Sequence, residues 1–302
     1  MNNRALAGAA LAAMLSPVLI SAYTPAASAE AGAAPRPITG EAVYFAYDQK
    51  FGVDRYVPGK GFVRIGEPSD NSQFAASPDG TKVAWVTQRG EVKVKKGAKV
   101  TTVAKNVPTG VPCLTPAWSP DSRQVAFVPA GKEDSVMVVN ADGTGRHKAG
   151  TTPGVCHLAW SGDGRYLAGY TGTADAVYRL DLRTGRSAKA KGITAPTHVQ
   201  SVSPGGRDVI VNVVPKGEPT GDGGWPSAFR PTIVDMVSGK QVAIPVKGRL
   251  LGALYLPDGR LVVRVAGATR NTLVVLDRTG KESQRLAEPA AARKKGLLQV
   301  VA

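Results

Sequence analysis

Ser77, Ser119, Ser161 and Ser203 follow one another at intervals of 42 residues, each inside the same short pattern. The four copies are Phe74-Ala-Ala-Ser-Pro-Asp-Gly-Thr81, Pro116-Ala-Trp-Ser-Pro-Asp-Ser-Arg123, Leu158-Ala-Trp-Ser-Gly-Asp-Gly-Arg165 and Gln200-Ser-Val-Ser-Pro-Gly-Gly-Arg207. A fifth, Ala253-Leu-Tyr-Leu-Pro-Asp-Gly-Arg260, carries Leu256 at the serine position after a spacing of 53. A period of roughly 40–45 residues is the length of one four-stranded propeller blade, and it governs everything after residue 40.

The chemistry inside each repeat agrees with that length. Pro-Asp-Gly between two apolar runs makes a tight turn: Pro presets φ, Asp binds the backbone, and Gly takes the left-handed position. The run after it, such as Val83-Ala-Trp-Val86, is apolar on successive residues, as suits an inner strand covered on both faces. A third run (Val136-Met-Val-Val139, Leu273-Val-Val-Leu276) leads to a second Gly turn. The fourth is polar, as in Arg186-Ser-Ala-Lys189, the character of a solvent-facing edge strand.

Counting runs closes the ring. Five repeats carry four strands each, a to d outward from the axis. Residues 41–65 supply three more, and the chain ends on one orphan run, Gly296-Leu-Leu-Gln-Val-Val301. Joined, these make a sixth blade whose inner strand comes from the C-terminus. The fold expected is all-β: a single six-bladed β-propeller of four-stranded antiparallel blades over residues 41–302.

The segment Trp118-Ser-Pro-Asp-Ser-Arg-Gln-Val-Ala-Phe-Val128, followed by Val138-Val-Asn-Ala-Asp-Gly-Thr-Gly145, resembles the TolB-type propeller repeats of exported bacterial proteins. The resemblance covers about residues 40–302. The Gly-His and Trp-Asp pairs of WD-repeat propellers are missing, as is the helical N-terminal domain of TolB itself. The resemblance therefore implies a binding scaffold and does not carry over a role in the Tol system.

Residues 1–29 read as a signal peptide. They hold one base (Arg4), an apolar run broken by Pro17, and small residues at Ala27 and Ala29. Residues 30–40 read as a disordered lead-in. No later stretch is long and apolar enough to span a bilayer. An exported chain is one in which Cys113 and Cys156 can oxidise. They precede the aligned serines by similar distances, so both sit where neighbouring blades enter their inner strands, within reach of a disulfide. A second assignment joins Cys113, Cys156, His157 and His198 in a tetrahedral zinc set. Successive strand residues point to opposite faces, which makes a site shared by Cys156 and His157 awkward. His147 falls on an outer strand.

Blade topology puts the a–b and c–d turns on a short, regular bottom face. The b–c and d–a loops form the top, including a long b–c loop in blade five, 215–229, in which Trp225 could anchor a cover over the channel mouth. The chain carries a net charge of +15. Top-loop cations include Arg230, Lys247, Arg249, Arg270, Arg293, Lys294 and Lys295. Bottom turns are basic as well, at Lys82, Arg123, Arg165, Arg207 and Arg260. Top-face acids (Asp48, Asp54, Glu133, Asp134, Asp175, Glu218, Asp222, Glu288) do not converge, and no hydrolase, phosphate-loop or dinucleotide motif is found.

The reading preferred is a secreted or envelope-associated propeller, monomeric, without cofactor or metal. It binds a protein or an anionic envelope polymer through Trp225, Arg230, Arg249, Arg270, Arg293, Lys294 and Lys295. No pattern of stacking aromatics points to nucleic acid. The alternative is a channel-centred, metal-dependent hydrolase or lyase acting on a small molecule. Three carboxylates or histidines meeting in the channel would favour it, and an apolar, serine-bearing wall would count against it.

Overall fold

The computed structural model describes residues 35–68, 73–132, 134–214, 225–226 and 229–302. The signal-peptide reading and most of the blade-five loop lie outside them. Six four-stranded antiparallel sheets follow one another along the chain. Blade one pairs Gly296–Val300, Ala42–Asp48, Lys50–Val57 and Gly61–Gly66, so the C-terminal strand is its inner member. The inner strands of blades two to six are Phe74–Ala76, Ala117–Trp118, Cys156–Trp160, Pro196–Val202 and Leu250–Tyr255. The outermost strands are Lys99–Lys105, His147–Thr151, Arg186–Lys189, Gln241–Val242 and Glu282–Ala287.

Burial explains the apolar runs. The buried side chains fall into six clusters, one between every two neighbouring blades. In the strand Ala42–Asp48, Val43 and Phe45 pack toward blade two, while Ala42 and Tyr44 pack toward blade six. Successive residues thus serve opposite interfaces, which is why these strands are apolar at every position.

The repeated serine is a fastener of the a–b turn. Ser161 Oγ donates to Asp163 at 2.6 Å and accepts the Tyr166 N–H at 2.9 Å. Ser119 makes the same pair of bonds with Asp121 and Gln124. In the second copy the glycine position is held by Ser122, which adopts the left-handed conformation at φ 60°. Its hydroxyl accepts the Asp79 N–H of the neighbouring turn at 3.0 Å, a bond no glycine could make. Ser161→Ala should cost about 1–2 kcal/mol, because it strips a partner from a fully buried hydroxyl's neighbours. Ser203, whose turn has Gly205 in place of the Asp, should lose less on the same change. Urea midpoints of the two variants test the difference.

Part of the lead-in departs from expectation. Ile38 is buried, its N–H donates to Gln284 Oε1 at 3.0 Å, and its carbonyl accepts from Gln284 Nε2 at 2.7 Å. The Arg36 carbonyl accepts from Arg260 at 2.9 Å. Residues 36–40 therefore lie docked on blade six. The cause is a lone large apolar residue beside an outer strand that offers a matching amide.

Candidate functional site

The inner strands surround a cavity of about 290 Å³ on the propeller axis. Trp225, from blade five, crosses its top end. The indole N–H donates to the Phe74 carbonyl of blade two, on the far side of the ring, at 3.1 Å. Its ring centroid lies 4.6 Å from that of His157 and 6.1 Å from that of His198. The two histidines stack on each other at 4.3 Å. Sequence reasoning placed both near the axis at the top and related them only through a zinc set, not as stacked rings.

The disulfide is present: Cys113 and Cys156 are bonded, with Cα atoms 4.7 Å apart. Both sulfurs being bonded to each other, the zinc set loses its thiolates. Among the described residues no group of three His, Cys, Asp or Glu could hold a metal. The alternation expected for Cys156 and His157 does not hold. His157 adopts φ 44° within a register shift between Cys156 and Ala159, and its N–H donates to the Cys113 carbonyl at 2.7 Å. This bulge lets both residues bury.

The basic residues gather elsewhere, on the top loops of blades five and six. Backbone hydrogen bonds stitch these loops together: Phe229 N–H to Leu251 O, Ala266 N–H to Arg249 O, and Glu288 N–H to Asn271 O. Asn271 Nδ2 donates to Arg293 O, and Arg293 Nε donates to Gly267 O at 3.2 Å. The result is a continuous rim that presents Arg230, Lys247, Arg249, Arg270, Arg293 and Lys294. All six are exposed, and among the described residues none has an ion-pair partner. Lys295 stands apart, its ammonium bound to Asp54 at 2.8 Å over the Phe62 ring. Trp225 lies at the axis, not on the rim.

Pairing distinguishes this rim from the basic bottom turns. Arg165 pairs with Asp181 at 2.7 Å, Arg207 with Asp235 at 2.7 Å and Arg260 with Asp258 at 2.8 Å, while Lys82 pairs with Asp79. Arg123 is only 3.9 Å from Asp121. Each of these five faces a carboxylate, of its own turn for Lys82, Arg123 and Arg260 and of the second turn of the same blade for Arg165 and Arg207. Between residues 243 and 295 the top loops hold one acid, Glu288, and it is buried.

Glu288 accepts from Arg264 Nε at 3.0 Å and from the Tyr44 hydroxyl at 2.9 Å. Arg264 and Glu288 are 1 % and 2 % exposed. Arg264 also donates to the carbonyls of Ala292 and Lys295, so the pair fixes the backbone under the rim. Burial, with the Glu288 carboxylate beside it, pushes the Tyr44 phenol well above its ordinary value. Asp54 is held by Lys295 and Arg64, whose hydrogen bonds outweigh burial and lower its carboxyl. Glu133, Glu218 and Asp222 lie outside the described residues. One signal could have found the buried pair: Arg264 interrupts the apolar strand Leu261–Val265.

No family model matches the chain, and no curated protein does. Solved structures do. TolB from Acinetobacter baumannii superposes with a TM-score of 0.56 at 15% identity, over 88% of this chain and 68% of that one. A chain of a nidogen–laminin complex superposes with a TM-score of 0.51 at 10% identity, over 87% of this chain and all of that one. At such identities the likeness is one of fold. The protein is a six-bladed β-propeller whose fold is similar to that of TolB.

Proposed function

We propose that this chain is an exported, envelope-associated propeller that binds an anionic polymer along the top rim of blades five and six. One observation carries the reading: six exposed cations on stitched loops, with Glu288, the one acid of the top loops between residues 243 and 295, buried on Arg264. Like charges held together by a rigid scaffold repel one another, and a polyanion relieves that repulsion. The disulfide and the signal-like residues 1–29 support a location outside the cytoplasm. Among the described residues no helix is long and apolar enough to cross a membrane.

The test is co-sedimentation with purified cell envelope, and binding to linear polyphosphate, across a salt series. Replacing Arg249, Arg270, Arg293 and Lys294 by serine should weaken both and flatten the salt dependence, by about one unit of logarithmic slope per contacting cation. Serine at Arg123 and Arg183 on the bottom face should change neither. Wild-type binding by the fourfold rim variant would remove the rim from the site.

A further inference from the structure

The channel departs from the rest of the molecule in charge. The chain has 38 Lys and Arg against 23 Asp and Glu. Yet among the described residues no Lys, Arg or His lines the cavity, and its bottom mouth carries Asp79 and Asp121. Its walls mix apolar and aromatic side chains, Leu158, Leu254, Trp118 and Trp160 among them, with the uncharged polar Gln200, Ser201 and Gln299. Trp225 stands across the top end, so the way in is from the face of the Ser-Pro-Asp turns. A volume of about 290 Å³ is at the lower end of the range for small-molecule pockets.

Both mouth carboxylates are charged at neutral pH. Burial pushes Asp79 up, but hydrogen bonds from Lys82, Ser77 and Thr81 outweigh it and hold the carboxyl at about 2. Burial also raises Asp121, and bonds from Ser119 and the Arg123 N–H bring it below its usual value. Asp79 is occupied by Lys82. Asp121 is freer: its side chain is 57% exposed and Arg123 is 3.9 Å away. A carboxylate at the entrance of an aromatic slot suits a ligand with a flat apolar body and one positive end. An ammonium there gains the carboxylate while its apolar body meets the aromatic wall, whereas an anionic ligand meets like charge.

We propose that the channel is a ligand site, entered from the bottom face, for a small amphiphilic amine whose apolar body lies between the inner strands and whose ammonium rests at Asp121. The site is separate from the rim, and neither depends on the other.

Three of the chain's four tryptophans line the cavity, so occupancy reads out as a change in tryptophan emission. The probes are phenethylamine and phenylacetate, which are close in shape and opposite in charge. Phenethylamine should give a saturable change, and phenylacetate should bind at least about tenfold more weakly. Ala159→Phe fills the wall from blade four and should abolish saturation. Ala75→Phe should do the same from blade two, and circular dichroism reports whether each variant keeps the wild-type fold. Asp121→Asn should weaken phenethylamine about three- to fivefold, the range of an exposed ion pair. Equal binding of the two probes, saturation that survives in both folded phenylalanine variants, or no saturable change with either probe would each overturn the proposal.

Discussion

Replacing Glu288 by alanine is expected to lower the unfolding free energy by about 3–5 kcal/mol, the cost of leaving a buried guanidinium without its counter-charge. Arg264 is 1 % exposed, so solvent cannot take over the role of the carboxylate. Tyr44, fully buried, would lose the acceptor of its hydroxyl in the same step. The double variant Arg264→Met, Glu288→Leu should lose less than Glu288→Ala alone, since it removes both charges together. Urea midpoints for the two variants decide the matter. A shift below about 1 kcal/mol for Glu288→Ala would mean that water reaches Arg264, and that the pair behaves as a surface ion pair.

Loss of the disulfide is the second large effect. Cys113 and Cys156 close a loop with a sequence separation of 43, and opening it should cost about 3–4 kcal/mol through the wider freedom of the unfolded chain. The double serine variant should therefore melt well below the oxidised wild type. Adding reductant should bring the wild type down to the variant and leave the variant unmoved. If the reduced and oxidised proteins melt together, the bridge is not what ties blade three to blade four at the axis.

These two elements show where reading the sequence succeeds and where it stops. The blades were legible because their information is local. Ser161, Asp163 and Gly164 build one turn within six adjacent residues, 161–166, and the same chemistry recurs at 42-residue intervals. Closure was legible because a single orphan strand had only one place to go. The rim was partly legible, since topology alone sent Arg249, Arg270 and Arg293 to one face. What topology could not supply was pairing: that Arg165 and Arg207 are neutralised by Asp181 and Asp235, while no described carboxylate pairs with the rim cations. Nor could it supply the stacked His157 and His198, because a backbone bulge broke the alternation on which the facing rule depends. The partnership of Tyr44, Arg264 and Glu288 joins residues from both ends of the chain, and its one local sign is Arg264 inside the apolar strand Leu261–Val265.

The closing blade has a consequence for how the molecule is made. Open repeat arrays can grow from any point, each unit leaning on the one before. Here five sheets come from contiguous stretches and can form as they emerge, but the first three strands wait for the last. Until Gly296–Val300 arrives, the strand Ala42–Asp48 shows an unpaired backbone edge beside side chains as apolar as Val43, Tyr44 and Phe45. Such an edge is a template for pairing with another molecule. Completion of the ring is thus a long-range event, joining the two ends of the chain, of the kind that slows folding. Chains interrupted before residue 296 are the ones that should aggregate.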